Sequence, residues 1–230
     1  MTINILNGDC SEVLKTLETN SVDAFVTDPP YGIGKIYEGK KEKASTPEQY
    51  WEWLGPIYNE GMRCLKPGGF FAIWQSCQYM RYFWDWFGND IRIYCAAKNF
   101  TQLRKIPINY GYDPVVMFYK TGAEPLRPEK PRRNIDYFVA NTAAMVSDTS
   151  RPERQHPYPR PIDQVREIIQ NFVVPGGVVL DPFVGSGTTA IACVLEARSC
   201  IGIEIEPKYL EIINTRLLSL QKDSSLYGDF

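Results

Sequence analysis

Long apolar runs are missing from this sequence: no segment approaches a membrane span, and the N-terminus carries no basic-then-apolar signal pattern. The expectation is a cytoplasmic protein with no membrane partner. Histidine is reduced to His156 alone. The six cysteines, at 10, 64, 77, 95, 193 and 200, form no Cys-x-x-Cys pair, so neither a zinc site nor a disulfide framework is indicated. No metal is expected. The dinucleotide fingerprint Gly-x-Gly-x-x-Gly is also absent, which argues against an oxidoreductase built on a nucleotide-binding sheet. Charge of one sign is not in excess, with 25 Lys and Arg against 27 Asp and Glu. The balance is uneven along the chain, however. From Lys98 to Arg160 there are 11 Lys and Arg against 6 Asp and Glu, and nine of the 17 prolines fall between Pro107 and Pro161. A basic middle in an otherwise acidic chain suits an anionic partner, and it equally suits a solvated loop.

With 230 residues, 44% of them apolar, the chain can bury one α/β core. Short β-branched or apolar runs predict strands at 3–6, 22–27, 70–74, 91–97, 115–119, 178–180 and 200–205. Between them, helical spacing predicts helices at 11–17, 47–65, 77–87, 163–173, 188–197 and 207–221. Thr46-Pro47-Glu48-Gln49 is a strong helix start, and Pro67-Gly68-Gly69 is expected to end that helix. The aromatic run in the 77–87 helix reads as core rather than as a stacking platform. Residues 32–45, with three glycines and lysines at 40, 41 and 43, read as a mobile substrate-gating loop. Residues 121–155 read as irregular.

Two stretches carry chemistry. Asp28-Pro29-Pro30-Tyr31 follows the 22–27 strand, and two prolines cannot continue a ladder, so the strand stops at Asp28. A carboxylate, the Pro29 carbonyl and an aromatic ring are thus presented together at a strand's carboxyl end, where open α/β sheets bind ligands. Two acceptors on an exocyclic amino group would hold its nitrogen nearer to tetrahedral and favour attack, while the ring stacks on an extruded base. Taken alone, the same four residues are also an ordinary strand-to-loop turn. The second stretch is Leu180-Asp181-Pro182-Phe183-Val184-Gly185-Ser186-Gly187-Thr188-Thr189, a βα turn whose glycines allow close backbone approach by a nucleotide. Glu204 ends the next strand, at the place of a ribose-binding carboxylate or of a plain surface acid.

Together with Gly8-Asp9, His156-Pro157-Tyr158-Pro159-Arg160-Pro161 and Ile201-Gly202-Ile203-Glu204, these stretches resemble the S-adenosylmethionine-dependent amino-group DNA methyltransferases, over nearly the whole chain. The resemblance is to the permuted subgroup, with the target-amino motif first and the cofactor motif late. It implies a Rossmann-like methyltransferase fold, a mostly parallel twisted sheet with helices on both faces, in one domain over 1–230. It implies methyl transfer to a flipped base, with Asp28, Pro29, Pro30 and Tyr31 catalytic. Asp181 would face the amino group of the cofactor's methionine part, Phe183 would lie near the sulfonium, and Asp9 would bind the cofactor's adenine. Cys10, Asp28, His156, Pro157, Arg160, Pro161, Pro182, Gly185, Ser186, Gly187, Thr188 and Glu204 complete the implied cofactor site. Arg160 stands where relatives carry lysine, which keeps the charge and changes the fork geometry. His156 is placed structurally near the cofactor pocket, not as a general base.

Asp before Pro-Pro-Tyr favours adenine N6 within the family, with cytosine N4 as the alternative. Methylation of RNA or a protein amide, or a non-enzymatic nucleotide-binding module, are further rivals. The partner implied is double-stranded DNA, with a homodimer expected because relatives often dimerise. The recognition region would be a small insertion at 120–155. Lys40, Lys41, Arg127, Lys130, Arg132 and Arg133 are the candidate DNA contacts.

Overall fold

The computed structural model describes residues 1–31, 36–37, 40–41, 46–87, 90–98, 111–132, 135–140 and 160–226. An eight-stranded sheet runs through it in the order β1-β10-β9-β2-β5-β7-β6-β8. The strands are β1 (Ile3–Asn7), β2 (Val22–Thr27), β5 (Leu65–Trp74), β6 (Arg92–Lys98), β7 (Tyr112–Tyr119), β8 (Tyr137–Ala140), β9 (Val178–Asp181) and β10 (Ser199–Glu204). Only β7 pairs antiparallel to its neighbours; all other pairings in this sheet are parallel. The helices are α1 (Cys10–Thr16), α2 (Pro47–Cys64), α3 (Met80–Phe87), α4 (Ile162–Phe172), α5 (Thr188–Leu195) and α6 (Pro207–Leu226). The expected α/β class, mostly parallel with flanking helices, is what the chain adopts.

The centre of the sheet is buried on both faces, as parallel strands with crossover helices require. Every residue of β2 is buried. Alternate residues therefore serve two cores. Ala24, Val26, Phe70 and Trp74 pack with Val165, Ile168 and Ile169 of α4, while Phe25, Phe71 and Ile73 pack with Leu54, Ile57 and Tyr58 of α2. The aromatic run in α3 joins the second core through Phe83, which is fully buried, and Trp51 stands edge-on to it. The expectation of core there holds.

Three local readings need correction. Pro67-Gly68-Gly69 does not separate helix from strand: α2 ends at Cys64 and β5 begins at Leu65. The glycines form an irregularity inside β5, where its register against β2 shifts between Val22 and Ala24. Gly68 takes φ +77°, and a Cβ there would meet the Glu124 carbonyl oxygen at 2.2 Å. Within 32–45, Ile36–Tyr37 (β3) and Lys40–Lys41 (β4) pair as an antiparallel hairpin rather than plain loop. Within 121–155, β8 adds an edge strand parallel to β6. Its Tyr137 and Val139 are exposed, and although it reads Tyr-Phe-Val-Ala it is only four residues long in a stretch otherwise rich in charge and proline.

Candidate active site

Four acidic residues mark the carboxyl edge of the sheet. Asp9 lies just past β1, Glu204 ends β10, Asp181 ends β9 and Asp28 follows β2. These strands are consecutive neighbours in the sheet, so the four positions span three strand spacings, roughly 14 Å. Residues far apart in sequence are thereby brought to one edge, in the crevice where open α/β sheets bind ligands.

The two middle acids are strongly desolvated. Asp181 is 2% exposed, and burial pushes its carboxyl up to about 6, against hydrogen bonds from Thr189, Thr27 and the Phe183 amide. Thr27 Oγ1 donates to Asp181 Oδ1 at 2.6 Å, and the Phe183 N–H donates to the same oxygen at 3.0 Å. Glu204 is also raised by burial, opposed by backbone amides of Glu206, Gly185 and Ile205. The Glu206 amide donates to its Oε1 at 2.8 Å. Among the described residues, neither Asp181 nor Glu204 forms a salt bridge.

Between them runs the 182–187 turn. Gly185 at φ +53° and Gly187 at φ +86° take the left-handed conformation that glycine adopts without strain. A Cβ at Gly187 would meet Ile213 at 2.7 Å, so the turn also lets α6 pack closely. Arg216 of α6 donates to the Ser186 carbonyl at 2.6 Å and braces it. Two buried carboxylates without salt bridges, flanking a glycine turn, fit a ligand that carries a cationic group and a pair of hydroxyls. S-adenosylmethionine has both.

At the end of β2, Asp28 is the hub of a polar cluster. Arg160 Nε and Nη2 donate to Asp28 Oδ2 at 2.9 and 2.6 Å. Tyr31 Oη donates to Asp28 Oδ1 at 2.7 Å, and Arg160 Nη2 also reaches Tyr31 Oη at 2.9 Å. Arg160 Nη1 donates to Asp113 Oδ2 at 2.7 Å, and its guanidinium carbon lies 5.2 Å from the Trp74 ring centroid. Burial opposes the guanidinium charge, and Asp28, Tyr31 and Asp113 outweigh it. Burial and the Asp28 charge push the Tyr31 phenol well above its ordinary value, which keeps it a donor. The following turn is held too: Tyr50 Oη donates to the Pro30 carbonyl at 2.8 Å, and Gln75 Nε2 donates to Tyr50 Oη at 3.1 Å.

The structure therefore gathers Asp9, Cys10, Asp28–Tyr31, Pro161 and the 181–188 turn with Glu204 along one edge, with Asp9 capping α1 through the Ser11 amide at 2.8 Å. Cys10 is buried, and burial followed by the Asp9 charge pushes its thiol up to about 12, so it is no nucleophile here. Arg160 stands against Asp28 and Tyr31 at the end of β2, whereas its sequence context groups it with the expected cofactor residues. His156, Pro157 and Arg133 lie outside the described residues. Lys40 and Lys41 form β4.

Arg127, Lys130 and Arg132 are exposed, and they do not join Asp28. Leu126 N–H bonds to the Gly68 carbonyl near the start of β5, and Arg132 reaches Gln170 in the last turn of α4 at 3.4 Å. That contact lies about 15 Å of helix rise from Arg160, which precedes the first turn. A cavity of about 240 Å³ beside it is lined by Arg132, Phe138, Asp163, Arg166, Glu167, Gln170 and Glu196. It contains none of the four edge acids and is not the active site.

Sequence reading alone missed Thr27, Tyr50, Gln75, Trp53 and Asp113. Trp53 is 44% exposed and stands 5.8 Å, ring to ring, from Phe183. It lies in the aromatic run Tyr50-Trp51-Glu52-Trp53-Leu54, where nothing in the sequence separates an exposed ring from a core one. Asp113 offered only an acid before proline at a strand start, and nothing local says that this strand runs antiparallel.

Residues 22–215 match the family model of the N6/N4 methyltransferases, described as DNA methylase. The chain belongs to that family. Its members are S-adenosylmethionine-dependent DNA amino-methyltransferases, and the methylase fits the cofactor by the donor set just described. It is 29% identical to the putative methylase YubD of Escherichia coli, over 94% of this chain and 91% of that one. It is 29% identical to the DNA adenine methyltransferase YhdJ of Escherichia coli, over 93% and 82%. In fold it is similar to M1.HpyAVI solved with S-adenosylmethionine, with TM-score 0.71 and 24% identity over 94% and 99% of the two chains. The cytosine-N4-specific PvuII DNA methyltransferase superposes with TM-score 0.73 and 18% identity, over 94% and 87%. No helix among the described residues is long and apolar enough to cross a membrane.

Proposed function

We propose that the methylase transfers a methyl group from S-adenosylmethionine to N6 of an adenine turned out of double-stranded DNA. The observation that carries this reading is Asp28: a braced carboxylate at the end of β2, one strand from the buried Asp181. Asp28 Oδ2 accepts two guanidinium N–H groups, and Oδ1 accepts the Tyr31 hydroxyl, which leaves Oδ1 one lone pair. That lone pair and the Pro29 carbonyl take the two hydrogens of the target amino group. Holding both draws the nitrogen lone pair out of the ring and aims it. As positive charge develops on nitrogen, Asp28 stabilises it and receives the departing proton. Pro30 fixes the turn through its carbonyl bond to Tyr50, and the Tyr31 ring stacks on the base.

When bound, S-adenosylmethionine supplies a methyl already activated on sulfonium, so no covalent enzyme intermediate is needed. Asp181 pairs with its ammonium, Glu204 with its ribose hydroxyls, and Asp9 with its adenine, beside Cys10. Pro182, Phe183, Gly185, Ser186, Gly187 and Thr188 close around it, with Pro161 beside Arg160 at the border with Asp28. Arg160 serves that same border.

Adenine is supported by Asp at the head of the first motif and by the relative named as a DNA adenine methyltransferase. The order of motifs, Asp28 before Asp181, supports the permuted subgroup. Residues 1–230 form one methyltransferase domain with a target-recognition insertion at 120–155. A short insertion of this kind suits a homodimer acting in the cytoplasm on a short site. Relatives named type II methyltransferases, M.HpaI among them, support a modification role beside a restriction enzyme. The test is transfer of labelled methyl to double-stranded DNA followed by digestion to nucleosides. N6-methyladenine is expected. N4-methylcytosine alone would reverse the base assignment, and label in RNA alone would sink the DNA reading.

A further inference from the structure

We propose that Asp113 is a positioning residue for methyl transfer: it fixes Arg160 so that Asp28 keeps an oxygen for the target amino group, and it keeps the cluster anionic. The inference rests on the DNA amino-methyltransferase reading of Asp28.

Asp113 is the second residue of β7, and because β7 is antiparallel its start lies at the same sheet edge as the end of β2. In the sheet, β5 lies between them. Arg160 therefore reaches across the end of β5, two strand spacings or about 10 Å, with its guanidinium carbon over the ring of Trp74 at the end of that strand. The Arg160 side chain is 14% exposed, and those of Asp28 and Asp113 are each 26% exposed. A guanidinium presents donors on opposite sides in a fixed fork. Here Nη1 points to Asp113 while Nε and Nη2 converge on one oxygen of Asp28. A lysine at this position has no second, opposed donor set to bridge the two acids. The arginine and the acid on β7 make a matched pair.

Charge gives Asp113 its second task. Asp28 and Arg160 alone would be a neutral pair, with little to offer a nitrogen becoming positive. Asp28, Arg160 and Asp113 together carry one net negative charge in a partly desolvated cleft, where it acts more strongly than in water. Arg160 can then hold Asp28 in place without cancelling the charge that the reaction needs.

The test compares Asp113→Asn and Asp113→Glu in the full chain, using labelled S-adenosylmethionine and double-stranded DNA. Asp113→Asn should lower kcat at least about tenfold while KM for DNA and Kd for the cofactor stay within about threefold. Asp113→Glu should recover most of kcat. An Asp113→Asn variant with wild-type kcat, or one whose whole loss lies in cofactor affinity, overturns the inference. A readout without DNA separates this from the reading beneath it. The Arg160 Nε–H resonance should exchange slowly in the wild type and faster in Asp113→Asn. If the wild type moves no methyl to DNA, the functional reading fails on its own. In that case an unchanged Arg160 resonance overturns the positioning role as well, and a faster-exchanging one supports it.

Discussion

The Thr27 hydroxyl donates to Asp181 Oδ1 at 2.6 Å, across the seam between β2 and β9. The two residues are 154 positions apart in sequence, and Thr27 is fully buried. This bond ties the end of β2 to the end of β9, one residue before Asp28. It also stabilises the Asp181 carboxylate against burial. Thr27→Val keeps the shape and removes the donor. A hydrogen bond to a charged group is worth about 1.5–3 kcal/mol, so cofactor affinity at neutral pH should fall roughly tenfold or more. Thr27→Ser should retain it. Calorimetry on both variants checks this, and equal affinities would show that the bond is bystander packing.

Asp181 predicts a pH dependence with a definite sign. Burial pushes its carboxyl up to about 6 in the folded chain, from an ordinary value near 3.8. The folded state therefore holds the proton more tightly than the unfolded state, and Asp181 costs stability as pH rises from about 4 to about 6. That shift corresponds to about 3 kcal/mol at neutral pH. Asp181→Asn should raise the melting temperature at pH 7, with the gain vanishing near pH 4. Pairing with an ammonium needs the carboxylate, so wild-type cofactor affinity should weaken below about pH 6. Melting curves and cofactor titrations across pH 4 to 8 test both halves. A variant that is less stable at pH 7 contradicts the first.

Division of labour along the edge is a third expectation. Asp28→Ala should abolish turnover with cofactor binding kept within about tenfold, because the role proposed for Asp28 is to hold the target amino group. Glu204→Ala should weaken cofactor binding. The opposite pattern would exchange the roles of the two strand ends.

Much of this site was legible because its pieces are local. Two prolines stop β2 wherever it lies, and the glycine turn before α5 needs its conformation whatever surrounds it. The Thr46–Gln49 capping box is likewise local, and both of its reciprocal bonds are present. What could not be read is orientation between distant elements. Arg160 meets Asp28 across 132 residues, and no spacing rule sends it there rather than toward Asp181. Asp113 joins them only because β7 runs against its neighbours. The strand β8 was passed over because its Tyr-Phe-Val-Ala run is only four residues long, follows a charged stretch, and pairs with the distant parallel β6.

Trp53 yields a prediction that sequence reading did not supply. Its ring stands 5.8 Å from Phe183 and is 44% exposed, an aromatic wall beside the proposed methyl-donor side. Cofactor binding should change tryptophan emission in the wild type and much less in Trp53→Phe. Trp53→Ala should weaken cofactor affinity about fivefold, the scale of one aromatic contact. An emission change that persists in Trp53→Phe would assign the signal to another tryptophan.

The basic middle segment is where charge counting and geometry part. Arg127, Lys130 and Arg132 are exposed and rich in neighbouring proline, which suits contact with phosphates. Yet Leu126 is bonded to Gly68 near the start of β5, and Arg132 sits over the last turn of α4. In the proposed reaction the flipped base enters at the other end, where Asp28 lies. Arg132→Ala should therefore leave the slope of log K against log salt unchanged, whereas each lost phosphate contact would lower it by about one. Stability should barely change, because its 3.4 Å contact to Gln170 is exposed. Lys40 and Lys41 form a hairpin strand within ten residues of Tyr31, and they are the better candidates. Neutralising both should lower the slope by about two and leave cofactor affinity alone. If Arg132→Ala lowers the slope while the lysine pair does not, the DNA must run along α4 to the amino end of the sheet, and the target face is larger than the edge around Asp28.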